Sequence, residues 1–232
     1  MRMPEYSKLP KELQCSEVKH YYDILKSKSK ALTVKRIFDI IVSIFVIIIL
    51  SLPMAVIALL IKLTSKGPVI YKQVRVTTFG KEFKIFKFRS MRTDADSKGE
   101  LLTVGEDDRI TKIGKFLRKF RLDELPQIFH VLSGKMTIVG TRPEVPKFTE
   151  KYTNDMLATL LLPAGVTSLA SIKYKDEAEL LAKAQDVDKA YIEEILPEKM
   201  KYNLRYIENF SFTGDIKLIF KTVAEVFTSR GE

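Results

Sequence analysis

The chain is poor in residues that make covalent or metal cross-links. Its 232 residues hold one cysteine, Cys15, and two histidines, His20 and His130. An internal disulfide is excluded, and a structural zinc cluster lacks ligands. A reducing cytoplasm suits this composition. Acid is short relative to base: 29 Asp and Glu against 39 Lys and Arg give a formal net charge of +10 and a pI near 9.5. No internal repeat is evident. The short basic start of a cleaved secretory signal is missing too, because residues 1 to 33 are mostly polar, so the apolar segment that follows is expected to stay in the mature protein.

That segment, Ile40 to Ile61, reads IIVSIFVIIILSLPMAVIALLI. At roughly 1.5 Å per residue it is about long enough to cross a ~30 Å hydrocarbon core as a straight helix. Two details pull away from one straight crossing. Pro53 removes a backbone donor and bends the helix just past its middle, with Ser51 near enough to re-satisfy a freed carbonyl. Both flanks are basic, Lys35 and Arg36 before the run and Lys62 and Lys66 after it, and positive charge prefers the cytoplasmic side. A re-entrant helix-break-helix hairpin satisfies both facts, and a single-pass anchor is the other topology. A basic chain with a lipid-seeking segment is expected at an anionic membrane surface rather than on nucleic acid.

The length fits a membrane segment plus one compact domain. The expected units are an extension over 1–33, the membrane segment over 34–66 and a domain over 67–232. The extension holds a short helix from Pro10 to Leu25, with no chemistry assigned to it. After Gly67-Pro68, the stretches VIYKQVRV and EFKIFKF read as a β-hairpin. Alternation puts Phe83, Ile85, Lys87 and Arg89 on one face of its second strand. From Lys112 to Phe120 the apolar residues Ile113, Phe116, Leu117 and Phe120 recur at helical spacing among Lys112, Lys115, Arg118 and Lys119. Such a helix lies either in the membrane interface or on a soluble core. Ile216, Ile219, Phe220, Val223, Val226 and Phe227 repeat the pattern near the C-terminus. Asp176 to Glu198 is expected to form a surface helix or helix pair ending at Pro197. The fold class is α+β, mostly helical, with a small β-hairpin.

Chemistry concentrates after the basic helix, in Arg121-Leu122-Asp123-Glu124-Leu125-Pro126-Gln127. Asp123 is placed as the N-cap of a helix running to about Leu132, and a plain cap is the simplest reading. The surroundings add a second one. Two adjacent carboxylates stand beside five cations between Lys112 and Arg121, with Gly140-Thr141-Arg142-Pro143 soon after. Cations and a helix start keep a carboxylate ionised and attract phosphate. A phosphate beside two acids calls for a divalent cation, and oxygen-only ligands point to Mg²⁺.

Several stretches together carry a resemblance. Lys35-Arg36-Ile37-Phe38-Asp39 leads into the Pro-interrupted run; then come Gly67-Pro68-Val69, Gln73-x-Arg75, Lys87-Phe88-Arg89-Ser90-Met91, Asp108-Arg109-Ile110-Thr111, Leu122-Asp123-Glu124-Leu125-Pro126-Gln127 and Val139-Gly140-x-Arg142-Pro143. In this order, over about residues 34 to 227, the chain resembles the bacterial sugar transferases, and more narrowly the small monotopic polyprenyl-phosphate phosphoglycosyl transferases.

The resemblance implies transfer of a phosphosugar from a UDP-sugar to a membrane polyprenyl phosphate, usually undecaprenyl phosphate, on the cytoplasmic face of the bacterial inner membrane. It implies Asp123 as covalent nucleophile, Glu124 as the Mg²⁺ ligand, Arg142 as a phosphate clamp, Lys87 and Arg118 as supporting cations, and a hairpin break at Ser51 and Pro53. The sequence departs from the family pattern in places. Leu52 precedes Pro53 where serine is common, Thr141 replaces a proline, Thr77 a glycine and Arg121 a serine. Pro163 to Ser171 diverges most, which bears on donor specificity. A membrane-anchored interaction protein, with Asp123 as a mere cap, is the alternative class. The sugar and the oligomeric state stay open.

Overall fold

The apolar run forms part of a much longer helix. In the computed structural model, which describes residues 3–92, 109–174 and 177–228, α1 spans Ser16–Ser27 and α2 spans Ser29–Thr64. Residues 29 to 52 contain neither glycine nor proline, so helix extends well ahead of Ile40. Extended backbone at Ser65 and a positive φ of 116° at Gly67 end it. Pro53 lies inside α2, and the Ser51 hydroxyl donates to the Ile48 carbonyl at 2.9 Å. Of the described residues, α2 is the one helix long and apolar enough to cross a membrane, and only 11% of its apolar window is buried.

The exposure along α2 is informative. Leu32, Lys35, Asp39 and Ser43 are buried on one face, and Ile57 and Ile61 are buried further on, while no residue from 44 to 56 is. Both ends of the helix are therefore packed on protein, and its middle projects bare isoleucine, phenylalanine and leucine. The docked first end is polar. Lys35 pairs with Asp215 at 2.6 Å, and Asp39 accepts from the Thr137 hydroxyl at 2.6 Å. Arg36 donates to the carbonyls of Val131 and Leu132 at 2.6 and 2.8 Å. These carbonyls belong to a helix end, where a cation is favoured.

The hairpin forms as expected: β1 (Ile70–Val76) pairs antiparallel with β2 (Glu82–Phe88), in register Gln73 to Ile85 and Arg75 to Phe83. Helix α3 covers Lys112–Lys119, capped by the Thr111 hydroxyl accepting from the Gly114 N–H. A 3₁₀ turn over Leu122–Gln127 leads into α4 (Ile128–Ser133), then β3 (Met136–Val139). The short helices α5 (Pro146–Thr149) and α6 (Asn154–Leu157) carry the chain back to β4 (Ala164–Thr167), which lies parallel to β3. Helices α7 (Leu169–Lys173), α8 (Glu177–Ala182), α9 (Val187–Ala190), α10 (Leu196–Glu208) and α11 (Phe212–Thr228) complete the chain. The fold is thus mostly helical with two small sheets.

Two expectations need correction here. Pro197 does not end a helix: it sits in the first turn of α10, where its missing N–H costs nothing, after a π-helical turn over Tyr191–Ile195. Nor is that region only surface, since Leu181, Tyr191, Ile195 and Leu196 are buried. The N-terminal helix begins at Ser16, and Pro10 instead starts a separate 3₁₀ turn over Lys11–Leu13. Leu13, Val18, Tyr22 and Leu25 pack with Leu161, Ile207 and Phe210 in one core cluster. Residues between Met3 and Leu32 thus share a core with the segment around Leu161 and the end of α10. Asp108 and Asp176 lie outside the described residues.

Candidate active site

Asp123 is not a helix cap. The cap position of its 3₁₀ turn is taken by Arg121, held in the left-handed region at φ 53°, and no side chain caps the turn. Arg121 makes the sharp corner between α3 and the turn, so Asp123 falls inside the turn and its carboxylate is released from capping. Pro126 fits because its missing N–H lies in the first turns, where few backbone donors have partners.

Glu124 gathers the cations. Lys87, projecting from β2, donates to its Oε1 at 2.8 Å, and Arg142 grips both carboxylate oxygens, the contact to Oε2 being 3.2 Å. Burial works to raise the Glu124 pKa, but Arg142 and Lys87 overcome it and hold the carboxyl well below its ordinary range. In return Glu124 raises the Arg142 pKa, against the pull of burial. Burial lowers the Lys87 pKa, with Glu124 opposing. This triad carries a net positive charge, because two cations share one carboxylate.

Asp123 differs from its neighbour. It is 8% exposed, and among the described residues nothing donates a hydrogen bond to its carboxylate. Burial raises its pKa; Lys87, Arg118 and Arg142 counter that through their fields, while Glu124 adds to it. An ionised carboxylate with no hydrogen-bonding partner in a partly desolvated place is a nucleophile of raised reactivity. The structure thus brings together Asp123, Glu124, Lys87 and Arg142, with Arg118 acting on Asp123 from α3. Ser51 and Pro53 lie apart, in the projecting middle of α2.

Arg142 is held by β3 and β4. Gly165 N–H donates to the Thr141 carbonyl at 2.7 Å and Gly140 N–H to the Thr167 carbonyl at 3.0 Å. The two backbones come so close that a Cβ on Gly165 would lie 2.3 Å from the Gly140 backbone. The divergent stretch from Pro163 therefore forms the strand beside the arginine loop, and the Val166 carbonyl faces Arg142 at 3.5 Å.

Sequence reasoning gave Arg75 no role. Its Nη1 donates to the Pro143 carbonyl at 3.1 Å, its Nε and Nη2 to Gln73 Oε1 at 3.1 and 2.7 Å, and Glu144 stands 4.0 Å away. Glu144 in turn accepts from the Tyr191 hydroxyl at 2.6 Å, which accepts from Lys199 at 2.9 Å. The signal available was the i, i+2 spacing of Gln73 and Arg75, which puts both on one strand face.

For a magnesium ion the donor set fits: one or two carboxylates completed by substrate phosphates and water are what this cation takes. Among the described residues no group of three or more His, Cys, Asp or Glu offers an all-protein cage.

A family model described as bacterial sugar transferase matches residues 30–229. The UDP-glucose:undecaprenyl-phosphate glucose-1-phosphate transferase of Klebsiella pneumoniae is 39% identical, over 84% of this chain and 40% of its own length. The UDP-N-acetylgalactosamine-undecaprenyl-phosphate N-acetylgalactosaminephosphotransferase of Aeromonas hydrophila is 34% identical, over 85% of this chain and 44% of its own. The chain thus spans less than half the length of these two relatives. Exopolysaccharide production protein PSS of Rhizobium leguminosarum bv. phaseoli is 35% identical, over 85% of this chain and 96% of its own length.

Proposed function

Because the chain belongs to the bacterial sugar transferase family, we propose that it moves a phosphosugar from a UDP-sugar to a membrane polyprenyl phosphate, undecaprenyl phosphate in bacteria, as an early step of surface glycan assembly. The observation that carries this reading is the pairing of Asp123, whose carboxylate receives no hydrogen bond among the described residues, with Glu124, held by two cations.

The chemistry divides into two displacements. An Asp123 carboxylate oxygen attacks the β-phosphorus of the UDP-sugar. The new bond is carboxylate oxygen to phosphorus; the bond that breaks joins that phosphorus to the bridging oxygen, which leaves with its electron pair as UMP. A phosphate oxygen of the polyprenyl acceptor then attacks the same phosphorus, breaking the aspartyl bond and restoring Asp123. The product is a polyprenyl diphosphate sugar. Arg142, with a planar fork that lysine cannot copy, turns from Glu124 to the diphosphate, and Lys87 follows. Glu124, freed by that exchange, would hold Mg²⁺, which would supply charge neutralisation at the diphosphate. Arg118 keeps Asp123 ionised.

The long apolar helix α2 supports delivery of this chemistry to a membrane surface. With both ends docked on one catalytic body and a proline between them, the helix enters the bilayer from the cytoplasmic face of the inner membrane and returns, as a re-entrant hairpin bent near Ser51 and Pro53. The exposed Phe116 of α3, and Phe220 and Val223 of α11, lie among lysines and meet the anionic lipid interface. The units are then the N-terminal brace over 1–33, the hairpin over 34–66 and the catalytic domain over 67–232.

The test is UMP release by purified protein with a panel of UDP-sugars, Mg²⁺ and undecaprenyl phosphate. Release by the wild type that disappears in Asp123→Asn is expected. Release that persists in that variant overturns the nucleophile, and no release from any donor favours a membrane-anchored interaction protein.

A further inference from the structure

Among the described residues, Arg89 is a buried cation without an anion. It is 5% exposed and follows Lys87 by two positions at the end of β2. Its Nη2 donates to the Ser65 carbonyl and hydroxyl at 2.8 and 2.7 Å, which ties it to the residue that ends α2. Its Nε and Nη1 are buried and have no partner among the described residues. Burial lowers its pKa, and no charged neighbour among the described residues offsets the shift. Buried charges are ordinarily paired, and an unmet guanidinium donor costs of the order of kcal/mol.

Position says which anion would meet it. Strand alternation places Arg89 on the same face as Lys87, roughly 7 Å further along. Lys87 reaches the catalytic pair, and Ser65 marks where the apolar helix re-joins the catalytic body. Arg89 thus ties the residue that ends α2 to the strand that carries Lys87. We propose that Arg89 binds the phosphate of the lipid acceptor, a polyprenyl phosphomonoester, with its two unpartnered donors and guides it from the end of α2 toward Asp123. This rests on the transferase reading above. Entry of the phosphate requires the atoms over Nε and Nη1 to part by a few ångströms, while Nη2 keeps its hold on Ser65.

The test uses the full chain in phosphatidylcholine nanodiscs, as wild type, Arg89→Lys and Arg89→Gln, with radiolabelled undecaprenyl phosphate as probe. Two further readings accompany it: the melting temperature, and exchange of labelled UMP into UDP-sugar without any acceptor. Arg89→Gln should weaken acceptor binding about 10-fold or more, as loss of a charge-assisted contact implies, with Arg89→Lys between it and wild type and UMP exchange nearly unchanged. Phosphatidylglycerol and inorganic phosphate should fail to compete at equal concentration. Unchanged acceptor affinity in Arg89→Gln overturns the proposal. So does loss of affinity in step with melting temperature and exchange, the mark of a plain anchor for α2, or equal competition by phosphatidylglycerol, the mark of a general anionic-lipid site. Absence of UMP exchange in wild type counts against covalent transfer alone, because acceptor binding is read directly.

Discussion

Two buried charge clusters in this molecule use the same side-chain chemistry to different ends. Beneath α2, Lys35 meets Asp215, whose other oxygen accepts from the Tyr206 hydroxyl at 2.8 Å, and Asp39 is filled by Thr137 and the Ile138 N–H. Each carboxylate there has its donors and each charge its partner. At the candidate active site Glu124 has two cations, and among the described residues nothing donates a hydrogen bond to the Asp123 carboxylate. The saturated cluster fixes the long apolar helix to the rest of the fold. The unbalanced one keeps donors that a substrate phosphate can claim, at a cost in stability that the rest of the fold carries.

Variants can break each cluster separately. The largest effect is expected from Asp123→Asn, which should reduce UMP release by at least about 10³-fold through loss of the nucleophile while leaving the melting temperature nearly unchanged. Asp215→Asn should do the reverse. It leaves Lys35 buried and uncompensated, costing about 3–5 kcal/mol in denaturant unfolding, with activity per folded molecule retained. Arg142→Lys keeps the charge and loses the fork, so a fall of about 10²-fold in kcat/KM is expected with little change in stability. The smallest effect is in pH dependence. Burial raises the Asp123 pKa, so its ionised, reactive form is lost on acidification at a higher pH than for an ordinary aspartate. The acid limb of kcat/KM should therefore lie above an ordinary aspartate's range, and kcat/KM should rise as pH increases through it.

The local features were legible in the sequence, and the long-range ones were not. Length and polarity marked the apolar run, alternation marked β1 and β2, and helical spacing marked α3. The clustering of carboxylates and cations around residues 112 to 142 marked the candidate site. Reading Asp123 as a cap failed because the left-handed turn at Arg121 moved the start of the helical segment, and an arginine gives no warning of positive φ as a glycine would. Pro197 was misread as a stop because proline is tolerated at a helix start as well as beyond its end. Lys35 looked like a simple basic flank of the apolar run, and Asp39 was quoted only within a motif. Their partners, Asp215 and Thr137, lie 180 and 98 residues away, and no periodicity within a window connects such pairs. Arg75 was quoted within a motif, yet its hold on the Arg142 loop appears only when the backbone at Pro143 is in place.

The central claim is that Asp123 becomes covalently linked to the phosphosugar before the lipid acts. The direct measurement is intact-protein and peptide mass spectrometry after mixing the full chain with its UDP-sugar and Mg²⁺, without polyprenyl phosphate. The expected result is one added phosphosugar mass on the peptide holding Asp123, removed on adding undecaprenyl phosphate and not formed in Asp123→Asn. UMP release that strictly requires the lipid, with no adduct under any condition that supports turnover, would contradict it.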